Sequence, residues 1–195
     1  SGGTGLVYGF HGRDKSIADK IINQGILLKT SKNNYDWLGN GMYFWENSPS
    51  RALEYAEHLK DNPKHSKNPI KVPAVIGAFI SLGNCLDLLD YENLQLLKAG
   101  FEILEATTQK LPQNIPIGTL NELMLRNLDC AVIETLHKVR NDNSLREFDS
   151  VRGVFWEGRE LYPNAGFREK DHIQLCIRNP NCIKGFFYPR ETDDT

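Results

Sequence analysis

No stretch of this sequence is apolar for long enough to cross a membrane as a helix, and its first residues lack the basic-then-apolar layout of a signal peptide. Both absences predict a cytoplasmic protein. Cysteine is sparse. Cys85, Cys130, Cys176 and Cys182 form no C-x-x-C pair and have no histidines at zinc-finger spacing, so they read as small buried hydrophobes and no metal site is expected. An excess of one charge is lacking too. With a formal net charge of −2 and a pI of about 6.2, the whole chain exerts no electrostatic pull on nucleic acid. The basic residues between Lys138 and Lys170 are interleaved with Asp142, Glu147, Asp149, Glu157, Glu160 and Glu169, the pattern of a solvated mixed face.

What is present suffices for one globular domain. The chain has 195 residues, 40% of them hydrophobic, enough for a core without disulfides or structural metal. Ser1-Gly2-Gly3 reads as a remnant of expression and the natural start falls near Thr4, so a single domain is expected over residues 4–195. No internal repeat or low-complexity tract stands out.

Leu6 to Phe10 reads as a buried strand ending in a turn at His11-Gly12. A helix follows, with Ser16 as its N-cap, Ile17, Ala18, Ile21 and Ile22 at helical spacing, and Gly25 as its stop. Gly41 to Trp45 is an aromatic strand. A second helix starts at Ser48 with Pro49 in its first position and Ala52, Leu53, Tyr55 and Ala56 on its buried side. After a polar loop from Asp61 to Pro69, Val72 to Leu82 and Cys85 to Leu89 read as strands broken at Gly83-Asn84. Two helices are expected over Tyr91 to Lys110 and Leu120 to Val139. Strands return at Val151 to Trp156, His172 to Ile177 and Cys182 to Phe187. Strands at both ends with helices between argue for an α+β domain.

Three segments carry chemistry. The first is Gly9-Phe10-His11-Gly12. An imidazole can donate to or accept from a hydroxyl, and a glycine lets the backbone approach a flat ring. The second is Trp37-Leu38-Gly39-Asn40-Gly41-Met42-Tyr43-Phe44, followed by Ser48-Pro49-Ser50-Arg51-Ala52. Its Gly-x-Gly precedes a strand and lacks a third glycine, which argues against a Rossmann loop, and an aromatic face such as that of Tyr43 suits a flat cationic ring. The third is Asp171-His172-Ile173-Gln174-Leu175-Cys176-Ile177. For His11 taken alone a core histidine is the plainer explanation, and the order of the three segments along the chain is what makes them informative together.

In that order they resemble the ADP-ribosyltransferase superfamily in its histidine–tyrosine branch, which holds the poly-ADP-ribose polymerases and the diphtheria-toxin-like enzymes. The segment Gly77 to Leu88 is similar to a strand pair of polymerase-type members. The resemblance spans nearly the whole chain. It implies two packed, mostly antiparallel sheets around an NAD cleft with flanking helices. It further implies that His11 binds ribose hydroxyls, that Gly12, Gly41 and Ser50 line the NAD site, and that Tyr43 stacks on nicotinamide. The position that usually holds a catalytic glutamate falls on Gln174, a departure resembling that of some uncharacterised bacterial members.

NAD is then a substrate, cleaved between nicotinamide and ribose through an oxocarbenium-like transition state. Gln174 can still bond the ribose 2-hydroxyl, and the loss of a charge-assisted bond costs about 1–2 kcal/mol, or roughly tenfold in rate. An amide is no general base, so His172, on the same strand face two residues earlier, is the first candidate, with Glu157 and Glu169 behind it. The resemblance places an acceptor-recognition loop at Gly158 to Lys170, where Arg159, Tyr162, Asn164, Phe167 and Arg168 mix basic with aromatic character. A protein or a nucleic-acid acceptor fits that mixture. The expected activity is mono-ADP-ribosyl transfer, in a role such as toxin or phage-defence effector, with an antitoxin or immunity protein as a further partner. The alternatives are a non-catalytic module that binds NAD, ADP-ribose or RNA, and an NAD glycohydrolase.

Overall fold

The computed structural model describes residues 5–117 and 122–190. The expected expression remnant, the natural start and Leu120, the expected first residue of the fourth helix, lie outside the described residues. In chain order the elements are β1 (Val7–Asp14), α1 (Lys15–Gln24), β2 (Met42–Glu46), α2 (Pro49–Asp61), β3 (Pro73–Ile80), β4 (Cys85–Asp87), α3 (Tyr91–Thr107), β5 (Asn114–Ile117), β6 (Glu122–Arg126), α4 (Asn127–Asp142), β7 (Ser150–Phe155), β8 (His172–Ile177) and β9 (Ile183–Phe187). Short 3-10 turns lie at Pro63–His65 and Pro180–Cys182. The chain is of the α+β class. Of the strand pairings described, only that of β4 with β7 is parallel.

The chain divides into two compact units, each built from separate stretches. The first unit holds Thr30–Tyr43 and Leu82–Asn179, and the second holds residues 5–29, Phe44–Ser81 and residues 180–190. In the second unit β1 lies antiparallel between β2 and β3, with Phe10 opposite Trp45 and His11 opposite Ile76, and β9 pairs with the other edge of β3. Strand β1 does not close at His11-Gly12 but runs on to Asp14, because every residue from Val7 to Asp14 is paired with β3. Asp14, not Ser16, caps α1. One carboxylate oxygen accepts from the Ser16 backbone N–H at 3.1 Å and its hydroxyl at 2.6 Å, and the other accepts from the N–H groups of Lys71 and Val72. These donors, the Ser16 hydroxyl foremost, hold the Asp14 carboxyl well below the usual carboxylate range. Gly25, at φ 66°, ends the helix in the left-handed conformation expected of it.

In α2 the expected burial holds for Ala52 and Ala56, whereas Leu53 and Tyr55 are exposed. The small residues let the helix approach β1 closely, and Tyr55 instead covers Trp45, their ring centroids 5.1 Å apart.

In the first unit β7 pairs antiparallel with β8, so that Gly153 faces Gln174 and Phe155 faces His172. The fourth helix starts later than its hydrophobic spacing suggested. Residues 122–126 form β6, paired with β5 in a hairpin, and α4 begins only at Asn127. The Asn114 side-chain oxygen, accepting from the N–H groups of Leu128 and Asp129, sets that boundary. Helix α3 likewise stops at Thr107, whose hydroxyl turns back onto the Ile103 carbonyl, rather than at Lys110. Leu38, Leu86, Ile133, Leu136, Phe148, Val151 and Cys176 make a core, with Trp37 and Tyr43 packed on it. Cys130, Cys176 and Cys182 are buried as expected, Cys85 is partly so, and none of the four is joined in a disulfide.

Within this unit His137 of α4 is buried with its ring against Phe148. Desolvation, then the charges of Arg178 and Arg140, push its pKa down to about 3. The unfolded ring takes its proton near the ordinary value of 6.5, so between these values the unfolded state binds more protons and stability falls as the pH falls. Urea denaturation is expected to lose up to about 1.4 kcal/mol per pH unit from this group below about pH 6. His137→Leu should flatten that slope, and an unchanged slope would show that the ring is not buried neutral.

Candidate functional site

The segment from Trp37 to Gly41 organises the candidate residues of the first unit. Gly39 adopts φ 80°, and a Cβ there would stand 2.6 Å from the Glu134 carboxylate. That carboxylate oxygen accepts from the Asn40 N–H and from Arg178 Nη1, both at 2.8 Å, and Arg178 Nη1 also donates to the Asn40 carbonyl at 3.1 Å. Gly41 lies against β8, where a Cβ would stand 2.4 Å from Cys176 Sγ and 2.8 Å from the Ile177 carbonyl oxygen. Close packing on the protein itself therefore already requires a glycine at Gly41, the residue expected to line the NAD site.

Tyr43 is half-buried, and its hydroxyl is committed twice. It donates to the Gly39 carbonyl at 2.6 Å and accepts from the Leu38 N–H at 3.0 Å. Desolvation, then the nearby Cys176 and Asp36, push the phenol far above its ordinary pKa, so it stays neutral. The ring is thus fixed in place by bonds at its tip, a geometry that suits an aromatic platform. Gln174 is tied to the same segment from the other side, with Trp37 Nε1 donating to Gln174 Oε1 at 2.7 Å. Gly153, opposite Gln174 on β7, leaves room for the indole, since a Cβ there would come within 3.1 Å of Trp37 Cη2.

His172 does not face solvent, as an acceptor-facing base would. Its side chain is only 3% exposed, its Nδ1 lies 2.7 Å from the Lys170 carbonyl and 3.7 Å from Glu157 Oε2, and its ring packs on Phe155. Glu157, at 19% exposed, is the more accessible of the two. The expected acceptor loop is a folded tongue, closed by backbone bonds from Lys170 N to Glu157 O, Glu169 N to Arg159 O and Leu161 N to Phe167 O. Leu161, Tyr162 and Phe167 are exposed on it, with Trp156 at its base. Arg168 is half-buried. Its guanidinium donates to the Gly158 carbonyl at 2.8 Å and lies 3.6 Å over the Trp156 ring, while Arg159 is exposed. Glu169 is exposed as well.

His11, Gly12 and Ser50 belong to the second unit. Arg13 Nε donates to His11 Nε2 at 3.0 Å, so a neutral His11 carries its proton on Nδ1, and the His11 ring packs edge-on against Phe44. Burial lowers the Arg13 pKa. Gly12 meets α2, where a Cβ would stand 2.1 Å from the Ala52 carbonyl oxygen. Ser50 is exposed in the first turn of α2. Arg13, Arg126, Glu134 and Arg178 had no sequence signal, because each acts on a residue far away in the chain or, for Arg13, on an alternate residue of an unremarkable strand.

No known protein-family model matches the chain. It is similar to an uncharacterised protein of Methanocaldococcus jannaschii, with 26% identity over an alignment that covers 90% of this chain and 83% of the relative.

Backbone oxygen is the obstacle at Gly12, so Gly12→Ala is expected to cost about 1–3 kcal/mol or more of stability by overpacking. Thermal or urea unfolding checks this, and Ser50→Ala is the control that should leave stability unchanged. An equally stable Gly12→Ala would show that the close approach of α2 does not require a glycine there.

Proposed function

We propose that this protein is an ADP-ribosyltransferase of the histidine–tyrosine type, which cleaves NAD between nicotinamide and ribose and passes ADP-ribose to a macromolecular acceptor. One observation carries the reading. The segment Trp37 to Gly39 holds Tyr43 by its hydroxyl and Gln174 by its amide, although Trp37 and Gln174 stand 137 residues apart. The two residues that the resemblance assigns to nicotinamide and ribose are thereby fixed to a common support, as binding geometry demands.

In this reading the Tyr43 ring is the platform for nicotinamide and Gln174 accepts from the ribose 2-hydroxyl as positive charge develops on the sugar. His11, oriented by the Arg13 guanidinium, binds a ribose hydroxyl. Glu157 is the better proton acceptor for the attacking group, with His172 behind it, because Glu157 has the solvent access that His172 lacks. The tongue with Tyr162, Phe167, Arg159 and Arg168 meets the acceptor. The ADP-ribosyltransferase fold belongs to the same proposal, as do a toxin or defence role, an antitoxin or immunity partner and a cytoplasmic setting. The neutral amide of Gln174 favours a second reading, a module that binds NAD or ADP-ribose and turns it over slowly or not at all.

Labelled NAD incubated with the protein and a cell lysate, followed by separate protease and nuclease digestion, should leave label on one class of macromolecule. Free ADP-ribose alone would mean hydrolysis. Gln174→Ala is expected to abolish nicotinamide release while leaving NAD affinity nearly intact, and Gln174→Glu to raise turnover by about tenfold. His11→Ala and Tyr43→Ala should weaken NAD binding, the latter by about 1–3 kcal/mol if a stacked platform is lost. A folded, fully active Gln174→Ala protein would sink the assignment. Tight NAD binding without turnover in the wild type would leave the second reading standing.

A further inference from the structure

The bond between Trp37 and Gln174 has a direction. An indole N–H only donates, so the amide atom 2.7 Å from Trp37 Nε1 is Oε1, and the NH2 end of Gln174 is turned away from the indole. Trp37 is itself held on several sides. Its ring lies over Gly153, Phe155 packs on it at 4.9 Å between centroids, and Arg126 sits with Cζ 4.8 Å from the ring centroid while its Nε bonds Asp129. A cation on the face of the indole draws electron density from it and makes the N–H a stronger donor.

We propose that Trp37 is a positioning residue that fixes which end of Gln174 meets the ribose, with Arg126 strengthening its hold. This rests on the NAD-cleaving reading above. The amide oxygen has two lone pairs. One is taken by the indole, and the second accepts from the ribose 2-hydroxyl. Without the indole the amide turns over freely, and its NH2 end then donates to the ribose oxygen, withdrawing electron density from a centre that is becoming positive. Trp37 thus allows a glutamine to do part of the work of a carboxylate, whose two equivalent oxygens need no such sorting.

Trp37→Phe keeps a ring against Gly153 and Phe155 and removes the N–H. The rate of nicotinamide release at saturation is expected to fall about tenfold, with KM for NAD unchanged within about twofold, because the lost contact matters in the transition state. In a Gln174→Glu background the same substitution should cost less, since either carboxylate oxygen serves. The indole N–H resonance of Trp37, assigned by its loss in Trp37→Phe, reads the bond without NAD. It should exchange slowly with solvent in the wild type, quickly in Gln174→Leu, and slowly again in Gln174→Glu. A resonance indifferent to Gln174→Leu overturns the bond, and unaltered turnover in folded Trp37→Phe overturns its role. A wild-type protein that releases no nicotinamide overturns the functional reading and Trp37's part in it, while the resonance still decides the bond.

Discussion

The carboxylate of Glu134 holds the turn on which the first unit's candidate residues depend. It accepts from the Asn40 backbone and from Arg178, and so pins the Gly39–Gly41 stretch to side chains of α4 and of the residue that follows β8. A charged acceptor with two well-placed donors makes shorter and stronger bonds than neutral groups do, which suits a short turn that must not drift. The two glycines are its steric counterpart. Gly39 takes a left-handed backbone and leaves room for the carboxylate, and Gly41 lets the chain lie on Cys176 and Ile177. With this turn fixed, the Gly39 carbonyl and Leu38 N–H stand where the Tyr43 hydroxyl meets them, and Trp37 stands where its indole meets Gln174.

The candidate residues of the two units are prepared by different chemistry. In the first, Trp37, Tyr43 and Gln174 are uncharged and are oriented by neutral hydrogen bonds beside an apolar core. In the second, His11 is oriented by the half-buried guanidinium of Arg13, on the same strand. The first arrangement makes a rigid surface, whereas the second sets the direction of a proton donor.

Much of this was legible in the amino-acid order. The short apolar runs that became β1, β2, β7, β8 and β9 were plain, because buried strands are rich in branched and aromatic residues and are bounded by turn residues. The region from Asn114 to Asn127 was not. Leu123, Met124, Leu125 and Leu128 fit a helical face as well as a strand, and what separates strand from helix there is the hairpin pairing of β5 with β6 and the Asn114 side chain. In the candidate site, the glycines and the tyrosine stood out as a motif. The hydrogen bond from Trp37 to Gln174 could not, since nothing local marks two residues that meet only after the fold has brought β8 beside the turn. The burial of His172 was hidden for a similar reason. Alternation along a strand tells which residues share a face but not what covers it.

The tongue from Glu157 to Lys170 satisfies its own backbone, rung by rung, and is anchored at its base by Asp171, which accepts from the N–H groups of Glu157 and Arg168. A segment bonded in this way asks little of the rest of the molecule. Its tip, Tyr162 to Phe167, is therefore a place where evolution can rewrite sequence and length at small cost to the fold, much as antibody loops vary on a constant frame. Relatives of this chain would then share the turn that Glu134 holds and diverge at the tongue.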